Sequence, residues 1–358
     1  MSEEWDVAKI LLVEKASEMH KPMDNHPENH KRIARIVSLL RERGVSYSNV
    51  PLVDLDQSLM LAYEIHAKGY MDYLLNVSKN APVLIDEDTY ISEDSVVLAL
   101  STLYISYETA THINDVVFLI SRPPGHHAGR NGKAMNAPTQ GFCLLNNAAA
   151  AVYGFRERGF KDIAILDFDA HHGNGTMEFF YKERVLQVDL HQDPNTLYPY
   201  TGFPHEIGEG AGHGFKANLI LFPGIGDDVF TTILRDVIAL LKEYSPDAVV
   251  VSAGFDGFRN DGLADLSLTE ISYNKLGYYL AKLGAPVFIV LEGGYGIGLE
   301  KGLLSFIKGL NGVEEAHGEY MYSARSMYRE NIKIAGTVLR KVSEKVLGYD
   351  IYGHRERD

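Results

Sequence analysis

Between residues 96 and 310 the chain alternates short apolar runs with longer amphipathic ones, and this rhythm limits its fold more than any other feature. The runs at 116–120, 163–168, 185–190, 217–222, 248–252 and 286–291 are five or six residues long. They are rich in Val, Ile, Leu and Phe and are bounded by glycine or ionisable residues, the pattern of buried strands. Helical periodicity occupies 96–111, 146–158, 229–244, 269–283 and 299–310, with a capping box suggested from Ser267 to Glu270. Strands and helices in alternation predict a mainly parallel sheet with helices on both faces. Upstream, 5–19 and 59–77 read as helices, and an amphipathic helix beginning near Ile33 ends near Gly44. Downstream, 323–347 reads as one or two helices with basic residues, and 353–358 as a charged, frayed end. No repeat, low-complexity tract or linker interrupts the 358 residues, so one domain is expected over 1–358.

Composition narrows the function. A net charge of -14 argues against direct nucleic-acid binding, which normally shows a basic patch. Cys143 is the only cysteine, which rules out an internal disulfide and a Cys-based zinc cluster and suggests a reducing compartment. The acidic start, Met1-Ser2-Glu3-Glu4, lacks the order of a secretory signal. No apolar run approaches the ~20 residues of a membrane helix. A cytoplasmic protein without a membrane partner is expected.

Ligands of open parallel sheets bind beyond the carboxyl ends of the strands. Five of these runs stop at polar clusters: Arg122-Pro123-Pro124-Gly125-His126-His127, Asp167-Phe168-Asp169-Ala170-His171-His172, His191-Gln192-Asp193, Gly254-Phe255-Asp256 and Glu292-Gly293-Gly294-Tyr295. Strand parity puts Asp167, Asp169 and His171 on one side and His172 on the other. A lone Asp-x-His would be an ordinary cap and loop histidine. Asp256 at another exit and a histidine pair at a third favour a metal held by Asp169, His171 and Asp256, with coordination positions left open. Two carboxylates make the set hard enough for iron(II), cobalt or manganese as well as zinc. His126 and His127 supply a base and an acid, and Asp167 and Asn174 can orient their rings. Gly293 and Gly294 allow close backbone approach, and Tyr295 presents a phenol that can donate to an oxyanion. Gly141-Phe142-Cys143 and Tyr198-Pro199-Tyr200 either wall a narrow apolar channel or simply pack as loops, and Cys143 reads as a buried small residue.

These motifs, with Gly173-Asn174-Gly175-Thr176, His26-Pro27-Glu28-Asn29-His30 and Asp88-Thr89-Tyr90-Ile91-Ser92, resemble the signatures of the histone deacetylase family over roughly residues 20 to 310. That family also includes acetylpolyamine amidohydrolases and acetoin-utilisation proteins. The resemblance implies an arginase/deacetylase-like α/β fold, a three-layer α/β/α sandwich around about eight mainly parallel strands, with residues from about 311 onward as a helical extension. It implies one Zn2+ on Asp169, His171 and Asp256, His127 as general base and acid, His126 as electrostatic support, and Tyr295 as oxyanion donor. Gly141, Phe142, Tyr198, Gly293 and Gly294 would line the acyl tunnel. Asp167, Asp169, His171, Asp189 and Leu190 match a monovalent-cation site that many members fill with K+. The implied substrate is acetylated protein lysine or a small acylated amine, and many members are homo-oligomers. Asn174 stands where class I members have Asp, so the class II-like branch is the nearer match. Leu263 offers no carboxylate to select a polyamine, whereas Glu93 and Asp94 on the rim loop are candidates. The rivals are an arginase-like enzyme with two manganese ions and a non-catalytic protein that binds acylated ligands.

Overall fold

A computed structural model describes residues 8–314 and 317–352. In chain order the strands are β1 Ala8–Val13, β2 Ser48–Val50, β3 Val83–Leu84, β4 Tyr90–Ile91, β5 Val116–Ile120, β6 Ala128–Gly129, β7 Gly132–Lys133, β8 Ile163–Asp167, β9 Leu186–Gln192, β10 Lys216–Leu221, β11 Ala248–Ala253 and β12 Val287–Leu291. The helices are α1 Lys31–Glu42, α2 Leu55–Ile65, α3 Lys68–Val77, α4 Ser95–His112, α5 Asn147–Glu157, α6 Asn174–Phe180, α7 Asp227–Tyr244, α8 Glu270–Leu280, α9 Leu303–Leu310 and α10 Arg325–Leu347.

Eight strands form one sheet in the order β10-β9-β8-β11-β12-β5-β1-β2, and every pairing in it is parallel. Strands β5, β8, β9, β10, β11 and β12 are buried along their whole length, as strands covered on both faces must be. Helices cover both faces, giving the three-layer arrangement. Helices α4 and α5 pack on one another, and an added Cβ at Gly154 would sit 2.3 Å from the Tyr107 carbonyl oxygen. Helix α10 turns Ala335, Val338, Leu339 and Val342 inward. Its Asn331 accepts from the Phe222 N–H at 3.1 Å and donates to the Ile220 carbonyl at 2.9 Å. That side chain satisfies backbone groups at the β10 edge, which would otherwise be a template for pairing. Among the described residues, no helix is long and apolar enough to cross a membrane.

Three expectations require correction. Residues 8–13 of the first expected helix are a strand, because they pair with both Val116–Ile120 and Ser48–Val50; residues 5–7 lie outside the described residues. The helix expected over 59–77 is two helices, broken where His66 is extended. The His66 ring takes tertiary partners instead, lying 3.0 Å from the Gly129 carbonyl and accepting from the Asn146 N–H at 3.0 Å. Helix α8 is capped by Thr269, whose hydroxyl accepts from the Ile271 N–H, rather than by Ser267. Within 323–347 there is one helix, the 23-residue α10, and the expected frayed end at 353–358 lies outside the described residues.

Candidate active site

The five strands whose exits carry polar clusters, β9, β8, β11, β12 and β5, are neighbours in the sheet. Their parallel pairing brings those exits to one edge. There a cavity of about 310 Å³ is lined by His126, His127, Gly141, Phe142, Asp169, His171, Tyr198, Leu263 and Tyr295, with Asp88, Pro124, Thr196, Leu197 and Tyr200.

At its floor the His171 Nδ1 lies 3.0 Å from Asp169 Oδ1 and 2.9 Å from Asp256 Oδ2. Asp169 and Asp256 are fully buried. Burial pushes the Asp256 carboxyl up to about 6, helped by the Asp169 charge. Burial would lower the His171 imidazole, but hydrogen bonds and charge from both carboxylates outweigh it and lift it to about 10. One ring proton cannot point at two carboxylates at once. A divalent cation can satisfy all three donors together, so this set fits the metal expected from the sequence. Backbone N–H groups orient the carboxylates: Gly293 donates to Asp169 Oδ2 at 2.8 Å and Ala170 to Asp256 Oδ1 at 2.9 Å. A Cβ on Gly293 would sit 2.4 Å from Asp169 Oδ2, so only glycine permits this approach.

The paired histidines have different partners. His126 Nδ1 is 3.0 Å from Asp167 Oδ2, while Asp167 Oδ1 accepts from the Asp169 N–H. His127 Nδ1 is 2.7 Å from Asn174 Oδ1. The Asn174 amide is oriented by its own NH2, which donates to the Ala134 carbonyl at 3.0 Å, so its oxygen faces His127. Asn174 therefore accepts the Nδ1 proton and leaves the His127 Nε2 lone pair free. Burial alone would lower His126, but the Asp167 and Asp169 charges raise it well above its ordinary value. Burial, with the charges of His126 and His171, holds His127 well below.

Tyr295 is flanked by Phe142, edge to face at 5.7 Å, and by the Arg32 guanidinium, 4.6 Å from the ring centroid. Among the described residues its hydroxyl has no hydrogen-bond partner, although burial keeps it protonated. Gly141 brings its loop against the His127 ring: a Cβ there would sit 2.5 Å from His127 and 2.8 Å from Tyr198. Phe142 and Tyr198 stand on the cavity wall. His172 turns away toward Thr201 and His191.

Two rim expectations change. Asp94 is tied to the His20 N–H and the Ser92 hydroxyl, and Glu93 does not line the cavity. The carboxylate at the mouth is Asp88. The sequence reading also missed Arg32, which donates to the Gly294 carbonyl at 2.7 Å and to the Glu292 carbonyl at 2.5 Å. Its helical position between His30 and Ile33 gave no sign of a role 262 residues away.

The chain is similar to proteins of one family. Residues 26–310 match the model of the histone deacetylase domain. A probable deacetylase of Archaeoglobus fulgidus is 35% identical over 78% of this chain and 79% of its own length. Acetylpolyamine amidohydrolase 1 of Pseudomonas aeruginosa is 42% identical over 182 residues, 50% of this chain and 51% of its own. The crystal structure of the HDA15 HD domain superimposes with a TM-score of 0.80 at 28% identity, over 96% of this chain and 99% of that one. With its parallel sheet, its buried donor set and its histidine pair, this chain belongs to the histone deacetylase family and is a deacetylase-type hydrolase.

Proposed function

We propose that this chain is a zinc-dependent amidohydrolase that removes an acetyl group from an amine such as acetyl-lysine, releasing acetate. The observation that carries the reading is convergence on one cavity of about 310 Å³: a three-donor set, two imidazoles with unlike partners and an unpartnered phenol. Asp169, His171 and Asp256 would hold the ion, which when bound supplies Lewis acidity toward a carbonyl and acidifies water. Zinc suits the imidazole, and iron(II), cobalt or manganese would suit the two carboxylates.

The chain's own groups do the rest. The free Nε2 of His127 takes a proton from the attacking water and returns it to the departing nitrogen. His126, beside the Asp167 carboxylate, holds positive charge next to the developing oxyanion. The Tyr295 hydroxyl donates to that oxyanion. Gly141, Phe142 and Tyr198 enclose the methylene chain, and Gly293 and Gly294 bring backbone close to the acyl group. The carboxylates of Asp167 and Asp189 approach each other across Gly173, where a Cβ would sit 2.3 and 3.2 Å from them. With the carbonyls of Asp167, Asp169, His171 and Leu190, they are suited to a structural K+.

A small acetylated amine, including an acetylpolyamine, is the second substrate reading. Asp88 at the mouth favours it, since among the described residues no Lys or Arg lines the cavity. The binuclear reading is disfavoured because Gly173 occupies the position where a further carboxylate ligand would stand. We take the whole chain as one catalytic domain acting in the cytoplasm, with helix α10 of the C-terminal extension bracing the sheet edge.

The test is turnover of zinc-loaded protein on acetyl-lysine peptides, acetylpolyamines and small acetamides, with metal counted per chain. Release of acetate with one ion per chain is expected. Two ions would favour the arginase-like rival, and inactivity across the panel the binding-protein rival. Tyr295→Phe is expected to lower kcat by at least ~10²-fold, the scale of one oxyanion donor. An unchanged rate would remove Tyr295 from the mechanism.

A further inference from the structure

We infer that Asp261 is the positioning residue for Tyr295, its carboxylate clamping the glycine-rich loop that carries the phenol. The inference rests on Tyr295 being the oxyanion donor. Positions 293, 294, 296 and 298 of that loop are all glycine. Such a segment has the most backbone freedom to lose on ordering and little stiffness of its own. Its conformation must be imposed from outside.

The anchors divide at Tyr295. Before it, Asp169 accepts from the Gly293 N–H, and Arg32 donates to the carbonyls of Glu292 and Gly294. From Tyr295 onward, among the described residues, the side-chain anchor is Asp261. Its Oδ2 accepts from the Tyr295 N–H at 2.7 Å, and its Oδ1 accepts from the N–H groups of Gly296 and Gly298, each at 2.8 Å. Asp261 is 7% exposed, so water competes little for these bonds. The fit is close: a Cβ on Gly298 would sit 2.9 Å from Asp261 Oδ1 and 1.9 Å from the Phe255 carbonyl oxygen.

Three N–H groups in one place need a carboxylate, because an amide side chain has one oxygen and would turn an NH2 toward the remaining donors. Asp261 also lies five residues after Asp256 on the segment that follows β11. One short stretch therefore supplies a ligand of the candidate metal set and the clamp for the oxyanion donor. Because the phenol sits at the far end of a rigid ring, a small backbone rotation displaces its hydroxyl widely. A misplacement of about 1 Å costs on the order of 10²-fold in rate.

The experiment compares wild type, Asp261→Asn, Tyr295→Phe and the double variant, zinc-loaded, on an acetyl-lysine peptide. Amide hydrogen exchange is followed in parallel across 292–300. Asp261→Asn is expected to lower kcat about 10- to 100-fold with KM within about twofold. It is expected to add little in the Tyr295→Phe background, because both changes remove one function. Exchange at 295, 296 and 298 is expected to quicken while the sheet stays protected. Unchanged exchange at those amides, or losses that simply multiply in the double variant, would overturn the inference. Full activity of Tyr295→Phe would instead overturn the oxyanion reading, and the exchange result would still decide whether Asp261 holds the loop. If Asp261→Asn does not fold, Asp261→Ser, which keeps a shorter acceptor, carries the same expectations.

Discussion

The floor of the cavity stands on the ends of two neighbouring strands, whereas its rim hangs on loops from separate parts of the chain. At the floor, Asp167 ends β8 in register with Ser252 of β11, and the Phe168 N–H donates to the Ser252 carbonyl. Asp169, His171 and Asp256 follow within a few residues of that ladder. At the rim, side chains do the joining. Asp86 accepts from the Gln140 N–H at 2.8 Å, Thr89 from the Phe142 N–H at 3.1 Å, and Asp88 from the Thr139 hydroxyl at 2.5 Å. Two rim aromatics, Phe142 and Tyr200, sit at positive φ of 70° and 64°, a costly region for bulky residues. A floor built on backbone pairing is set by the fold itself, while a rim built from side-chain staples can change without disturbing the sheet.

If that division is right, disabling the floor costs most. Asp256→Ala is expected to lower metal affinity by more than about 100-fold, beyond the range for residues that only support a ligand. Metal content after dialysis, read beside turnover, checks it. Undiminished binding would move the ion elsewhere and erase the floor as defined here. Next come the residues behind the histidines. Asp167→Asn and Asn174→Ala are each expected to lower turnover about 10- to 100-fold while bound metal stays near one per chain. Asp167→Asn should act mainly by withdrawing the charge beside His126. Asn174→Ala should act by freeing the His127 tautomer, and so should shift the pH profile of kcat more. Metal loss in Asp167→Asn would merge the histidine supports with the ligand set.

The same division governs what the sequence revealed. Asp167, Asp169 and His171 follow an apolar run with period-two spacing, so one short window displays both strand and donors. Parity alone does not separate ligand from support: β8 ends at Asp167, and its carboxylate stands against the His126 ring, apart from the donor set. Asp256 could be named as a candidate, but its place beside Asp169 depends on β11 lying next to β8, a matter of strand order. The strand Ala8–Val13 was misread because its neighbours Glu14 and Lys15 give the apolar residues a helical spacing. Its partners lie about a hundred residues downstream in β5 and about forty in β2, where no local pattern reaches. The rim was least legible. Asp88 and Asp94 flank the two-residue strand β4, and only the His20 N–H and the Ser92 hydroxyl decide that Asp94 is held away from the cavity.

The smallest expected effect belongs to that rim carboxylate, and it tests whether the two regions are separable. Asp88 is partly exposed, and its attraction for a cationic substrate is screened by water, worth at most about 1 kcal/mol. Asp88→Asn is therefore expected to raise KM for an acetylated amine bearing a second, free ammonium by up to about fivefold. It should leave KM for an uncharged acetamide unchanged, and kcat for both. The asparagine has one oxygen for the Thr89 and Thr139 hydroxyls that Asp88 accepts from, but the Thr89 oxygen still accepts from the Phe142 N–H, so Phe142 should keep its place. Steady-state kinetics on the two substrates decides the matter. A fall in kcat comparable to that of Asp167→Asn would mean that the rim staples reach the catalytic groups through Phe142, which touches Tyr295 edge to face. Equal KM changes for both substrates would mean that Asp88 shapes the mouth without reading charge.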